Sequence, residues 1–192
     1  MPHMIIVAGP NGAGKTTAAP ALLKEALQVD DFVNADIIAQ GLCAFQPEKE
    51  AIRAGRIMLE RIHGLVAKGI NFAFETTLAS RSFASWIPEA KKNGYHVQIV
   101  FLWLESVELA ISRVQERIRV GGHAVPEETI RRRYHAGIKN FFNLYRPLLD
   151  CWKFYNNSKM NNLSVIASGV GGDIDVENNM IWQELWENYC GE

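Results

Sequence analysis

The chain has no long apolar run, no paired cysteines and no dominant charge. None of its apolar stretches approaches the roughly 18 to 20 residues that cross a bilayer. The one near the start, Met4 to Ala8, follows no basic leader and precedes no cleavage site. These absences argue against membrane insertion and secretion, and the expectation is a cytoplasmic protein. Only three cysteines occur in 192 residues, Cys43, Cys151 and Cys190, and none sits in a C-x-x-C pair. That speaks against structural zinc and against a disulfide framework. The 20 Lys and Arg meet 21 Asp and Glu, so no global field draws the molecule to nucleic acid or to a lipid surface. Repeats and low-complexity linkers are missing too, and this length suits one domain over residues 1–192.

What is present begins with Gly9-Pro10-Asn11-Gly12-Ala13-Gly14-Lys15-Thr16, the pattern G-x-x-x-x-G-K-[ST]. It follows an apolar run and leads into helix-favouring residues, the strand, loop and helix context in which this motif cradles phosphate. Residues Gly9, Pro10, Asn11, Gly12, Ala13, Gly14, Lys15, Thr16 and Thr17 form the expected nucleotide-binding set. The glycines let the backbone approach a polyphosphate with its N–H groups turned inward, and the helix start adds partial positive charge. Lys15 supplies a mobile charge for the β- and γ-phosphates, and the Thr16 hydroxyl is placed to take a position on Mg²⁺. ATP and Mg²⁺ are therefore the expected cofactors. Two further absences narrow the class. No run of four apolar residues ends in Asp after the loop, since Val97 to Leu104 ends in Glu105, and there is no L-S-G-G-Q signature. Both features belong to mechanical ATPases, so a small kinase is favoured.

Strands are expected at about 4–8, 31–34, 70–74, 95–104, 152–155 and 163–167. Helices are expected from Gly14 or Lys15 to about Gln28, from Pro47 to Gly69, at 83–93, from Ser106 to Gly121, from Pro126 to Pro147, and as a closing helix at about 174–190. This alternation predicts an α/β three-layer domain around a mostly parallel sheet. Ile52, Gly55, Leu59, Ile62 and Val66 recur at helical spacing and predict a core-facing stripe.

In open parallel sheets ligands bind beyond the carboxyl ends of the strands. Asp36 falls after the second strand, and Glu75, Thr76 and Thr77 fall at the end of the third. A carboxylate near the γ-phosphate accepts the proton of an attacking hydroxyl, and another holds Mg²⁺ through water. Asp36 fits the base role, although an Asp before Ile37-Ile38-Ala39 is also good N-cap chemistry. Glu75 closes the apolar Phe72-Ala73-Phe74 and is costly to bury unless paired or coordinated. It is assigned, with Thr76 and Thr77, to the substrate or Mg²⁺ environment. From Arg113 to Lys139 seven Lys and Arg face only three Glu. Arg113 and Arg117 share a helical face, Arg119 precedes Gly121-Gly122, and Arg131, Arg132 and Arg133 open the next helix. Such an order suits a lid over about 113–139, hinged at the glycines, that closes on phosphates, with Arg117, Arg119 and Arg132 as expected catalytic charges alongside Lys15. His123 is read as a phosphate contact or simply a loop residue. The basic residues lack interleaved stacking aromatics, so nucleic-acid binding ranks low.

Taken together, residues 9–17, Asn34-Ala35-Asp36, Phe74-Glu75-Thr76-Thr77-Leu78, and Arg117-Ile118-Arg119-Val120-Gly121-Gly122-His123-Ala124-Val125-Pro126 with Ile130-Arg131-Arg132-Arg133-Tyr134 resemble the zeta-toxin-like P-loop kinases of bacteria. The likeness runs from the first strand to about Ser158. It implies a nucleoside-kinase-like P-loop fold with a helical lid, and ATP with Mg²⁺ as phosphoryl donor. It further implies Lys15 and Thr16 as nucleotide and metal residues, Asp36 as catalytic base, Glu75 and Thr76 on the substrate side, and Arg117 to Arg132 as phosphate clamp. The best-described members phosphorylate a sugar hydroxyl of UDP-N-acetylglucosamine, and the resemblance raises an antitoxin protein as a possible partner. Two other readings stand beside it. One is a metabolic kinase for an unrelated sugar, acid or nucleoside. The other is a nucleotide-dependent regulatory module acting through a protein partner, with the tryptophan-rich tail as the candidate contact.

Overall fold

The computed structural model describes residues 1–25, 29, 31–122, 124–159 and 162–191. Its centre is strand β1 (His3–Ala8), in which Met4 to Ala8 are wholly buried. No polar residue alternates through that run, so both faces must be covered, and a parallel sheet between helical layers meets this condition. Strands β3 (Phe72–Thr76) and β4 (His96–Trp103) flank β1 in parallel, β2 (Asp31–Val33) joins β3, and β5 (Cys151–Asn156) joins β4. Two antiparallel strands, β6 (Ser164–Val170) and β7 (Asp173–Val176), complete a sheet of order β2-β3-β1-β4-β5-β6-β7. Helices α1 (Lys15–Pro20), α2 (Ala35–Leu42), α3 (Ala51–Lys68), α4 (Ile87–Lys92), α5 (Val107–Arg119), α6 (Glu127–Asn140) and α7 (Asn179–Tyr189) flank it. The fold is the expected α/β architecture with a mostly parallel sheet. Among the described residues no helix is long and apolar enough to cross a membrane.

Several elements differ from expectation for local reasons. The first helix is regular only to Pro20 and continues as a π turn over Ala21–Glu25. Pro20 brings no N–H to the carbonyl one turn back, and the next turn widens. The expected extension over 26–28 lies outside the described residues, as does His123. Strand β3 starts two residues later than expected, which places Glu75 and Thr76 within it. In α3 the buried face is Ala54, Met58, Ile62 and Leu65, while Ile52 is 77% exposed. The expected stripe is therefore rotated by about 100°, one residue of helix, and only Ile62 belongs to both. Gly121 and Gly122 close α5: Gly121 N–H donates to Ile118 O, Gly122 N–H donates to Arg117 O, and Gly121 takes φ 87°. This is a Schellman cap, which needs a left-handed residue at that point. At the end of the chain, residues 173–176 form the edge strand β7, not the start of a helix. Gly171 and Gly172 turn β6 back into it, and α7 begins after Asn178, whose Oδ1 accepts from Ile181 N–H.

The far half of the sheet is held by aromatic rings. Phe101 of β4 stacks on Phe154 of β5 at 4.5 Å, and Trp152 stacks on Trp182 of α7 at 5.3 Å. At the opposite end of β4 and β5, Asp150 accepts from Val97 N–H at 2.8 Å, pairs with Lys91 of α4 at 2.9 Å and donates its own N–H to Val97 O. Burial works to raise the Asp150 carboxyl, but these bonds outweigh it and hold it below the usual carboxylate range. A carboxylate depressed in the folded state adds stability above its unfolded pKa and loses it as pH falls through the folded value. Asp150→Asn is thus expected to cost about 1 kcal/mol near neutrality, allowing for solvent screening. The gap should close below about pH 4. Urea unfolding of both proteins between pH 3 and 7 measures this.

Candidate functional site

Strand β1 ends at Ala8, opposite Thr76 of β3 and Phe101 of β4, and delivers the glycine loop onto the carboxyl edge of the sheet. Gly9 takes φ 140° with its Cα against the carbonyl of Leu102, so close that a Cβ cannot be accommodated. The next turn is pinned from the other side. Asn157, just after β5, donates from Nδ2 to Ala13 O at 2.8 Å. Arg113 of α5 in turn holds the segment after β5, donating to Asn157 O and Ser158 O at 2.8 Å each.

Lys15 is buried, with its Nζ donating to Pro10 O at 2.9 Å and lying 3.7 Å from Glu75 Oε1. Burial pushes its ammonium pKa down, while the carboxylates of Glu75 and Asp36 pull the other way. Glu75 is the hub. Its Oε2 accepts from Thr16 Oγ1 at 2.7 Å and from Asn34 Nδ2 at 2.8 Å. Asn34 has a second task. Its Oδ1 accepts from Asp36 N–H and Ile37 N–H, making it the N-cap of α2. Asp36 is therefore not the cap, and its carboxylate stands on the wall of the cavity. Thr76 Oγ1 accepts from Leu78 N–H at 3.0 Å, and Leu78 sits buried at φ 59°. For a branched residue that is a strained backbone, of a kind that collects at working sites.

These residues share one cavity of about 700 Å³. The glycine loop, Thr16 and Thr17 form one side, Asn34, Asp36 and Glu75 to Thr77 another, and Arg113, Arg117 and Arg133 the side of α5 and α6. Five cationic side chains, Lys15, Arg56, Arg113, Arg117 and Arg133, face two carboxylates there. Arg119 and Arg132 are placed elsewhere. Arg119 pairs with Glu116 at 3.1 Å on the outside of α5, and Arg132 is exposed. Sequence reasoning missed the α3 wall of Ile52, Gly55, Arg56, Met58 and Leu59, together with Ser80, Ser82 and Phe83. Helical spacing had marked part of that wall, but as core.

The residues fit a polyphosphate with Mg²⁺. Asn11 is buried with its Oδ1 unpartnered, and rotating the amide presents an NH₂ to an anion. Thr16 and Glu75 bring two hard oxygens within 2.7 Å of each other. Mg²⁺ takes one or two protein oxygens and completes its shell with water and phosphate. Accordingly no cluster of three or more His, Cys, Asp or Glu is needed, and none occurs among the described residues.

Comparison with known proteins bears on the family and the fold. A family profile described as an AAA domain matches residues 4–136. An uncharacterized protein of Haemophilus influenzae is 30% identical over 130 residues, 68% of this chain and 91% of that protein. A chain in the crystal structure of AvrRxo1-ORF1:-ORF2 with ATP superposes at a TM-score of 0.76 and 18% identity, covering 100% of this chain and 65% of that one. A chain of the PezAT chromosomal toxin–antitoxin system of Streptococcus pneumoniae gives 0.70 at 17% identity, covering 100% and 80%. This chain thus spans 65% of the length of the first of these structures. The fold is that of the P-loop kinases.

The approach of Gly9 to Leu102 O yields a stability test. Gly9→Ala is expected to cost on the order of 2 kcal/mol, from strain at positive φ and the clash. Gly41→Ala, in α2 with open space around it, is expected to gain up to about 1 kcal/mol from helix propensity. Urea midpoints of opposite displacement would bear this out.

Proposed function

This chain belongs to the AAA domain family, and from that premise we propose that it is an ATP/Mg²⁺-dependent phosphotransferase of zeta-toxin type acting on a hydroxyl of a small molecule. The observation that carries the reading is the single cavity in which Lys15 and Thr16 of the glycine loop, Glu75 and Asp36 stand together under an excess of positive charge. A kinase needs a donor-phosphate cradle and an acceptor-side carboxylate within one water-poor space.

In this reading the N–H groups of residues 9–17, with Lys15, hold the donor phosphates. Lys15 now rests on Pro10 O and Glu75, and a phosphate offers it a stronger partner. Thr16, with Glu75 behind it, is the Mg²⁺ position. The ion supplies neutralisation of charge on the β- and γ-oxygens. Asp36 accepts the proton of the acceptor hydroxyl, and Glu75, Thr76 and Thr77 shape the acceptor side. Arg117 lies on the cavity wall and offsets phosphate charge. Arg119 and Arg132 reach the phosphates only if their helices rotate from the positions described. UDP-N-acetylglucosamine is the acceptor suggested by the motif resemblance. The AvrRxo1-ORF1:-ORF2 structure with ATP supports nucleotide binding by this fold. The PezAT neighbour, from a toxin–antitoxin system, favours an antitoxin-like protein as partner.

Mass spectrometry of a reaction containing ATP, Mg²⁺ and UDP-N-acetylglucosamine tests the proposal. Product carrying one added phosphate is expected. Asp36→Asn should leave ATP affinity within about threefold and lower kcat by 100-fold or more, whereas Lys15→Ala should weaken nucleotide handling itself. An Asp36→Asn protein of undiminished activity would remove the base assignment. Product from another acceptor alone would remove only the sugar nucleotide.

A further inference from the structure

The three consecutive arginines that open α6 have separate surroundings. Arg131 is held by Glu127 of its own helix at 2.8 Å and by Glu108 of α5 at 2.9 Å. Arg132 points to solvent. Arg133 is half-buried and lines the cavity, and among the described residues no carboxylate lies within ion-pair distance of it. Burial disfavours its charge, and the Asp36 carboxylate is the group close enough to favour it.

Arg133 shares a helix face with Gly137 and Asn140, at i, i+4 and i+7. That face is fastened to the segment after β3. Gly137 lies against Thr77 O with no room for a Cβ, and Asn140 Nδ2 donates to Leu78 O and Ala79 O at 2.9 and 3.1 Å. Tyr134 Oη adds a bond to Leu104 O at 2.6 Å. The helix that carries Arg133 is thereby tied at positions 137 and 140 to the loop that continues from Glu75, Thr76 and Thr77, and at position 134 to the end of β4.

Resting on the phosphotransferase reading above, we propose that Arg133 is the α6 arginine that contacts the transferring phosphoryl group, and that it acts from a fixed helix, with α6 as a wall of the site. During transfer the bond from the γ-phosphorus to the oxygen leaving with ADP breaks as the bond to the acceptor oxygen forms, and the acceptor proton passes to Asp36. Arg133 gives up no proton. It donates N–H bonds to the phosphoryl oxygens and offsets the repulsion between that group and the Asp36 carboxylate, which a guanidinium already held in position does without reorganisation. A planar fork also matches phosphate oxygens in pairs.

The test measures ATP turnover with Mg²⁺ and with water or UDP-N-acetylglucosamine as acceptor, beside affinity for a fluorescent ATP analogue, on the full chain. Arg133→Ala is expected to lose about 100-fold in kcat with nucleotide affinity within about threefold. Arg133→Lys should recover part of the loss, and it carries the test if the alanine variant unfolds. Gly137→Ala, which pushes α6 away from Thr77 O without removing a charge, should lower kcat as well, by about tenfold. Wild-type kcat in Arg133→Ala overturns the assignment and leaves the kinase reading intact, as does a loss in Arg132→Ala equal to that in Arg133→Ala. Wild-type protein that neither binds the ATP analogue nor turns over ATP overturns the kinase reading and the assignment together.

Discussion

Burying a carboxylate at the end of an apolar strand is costly unless its oxygens are fully engaged, and at Glu75 that requirement organises the site. One carboxylate answers Lys15 and Thr16 from the glycine loop and Asn34 from the turn into α2. Three chain segments far apart in sequence therefore meet at one point. The arrangement also leaves Lys15 and Thr16 in place and oriented, with Lys15 buried, so that little reorganisation is needed when an anion arrives.

Around this point the helices divide into those that close the core and those that face the cavity. α7 belongs to the first kind, through Trp182 and Leu185. α3 and α6 belong to both. Each buries one stripe and turns another to the cavity, which is why Ile52 is exposed although it sits at a spacing that normally marks core. α5 contributes through backbone as much as charge. Arg113 fastens the segment after β5 to which the glycine loop is bonded, so an arginine that reads as a phosphate ligand is committed to two carbonyls.

Much of the fold was legible because its signals are local. The apolar run 95–104 became β4, Ser106 caps α5 through Leu109 N–H, and the strand-loop-helix order around Lys15 holds. Sequence left a position open where a local signal has two uses. Asn34 and Asp36 both suit an N-cap, and only the bonds to Asp36 and Ile37 N–H assign the cap to Asn34. A pair of glycines suits a hinge or a helix cap, and the backbone bonds to Arg117 O and Ile118 O show the cap. The short strand β7 was hidden because four residues carry too little periodicity to compete with the helical spacing that follows.

The sequence by itself determined the α/β alternation, the glycine loop and the presence of two carboxylates and a run of arginines near it, because spacing, turn chemistry and strand burial act over a few residues. Tertiary structure decided which of those charges share a cavity. Arg131, Arg132 and Arg133 are indistinguishable as a run, yet helical rotation sends one to α5, one to solvent and one toward Asp36. That choice depends on how α6 docks, through Tyr134, Gly137 and Asn140, on backbone carbonyls of distant segments. Carbonyls carry no residue identity, so no pattern in the sequence announces where they will be.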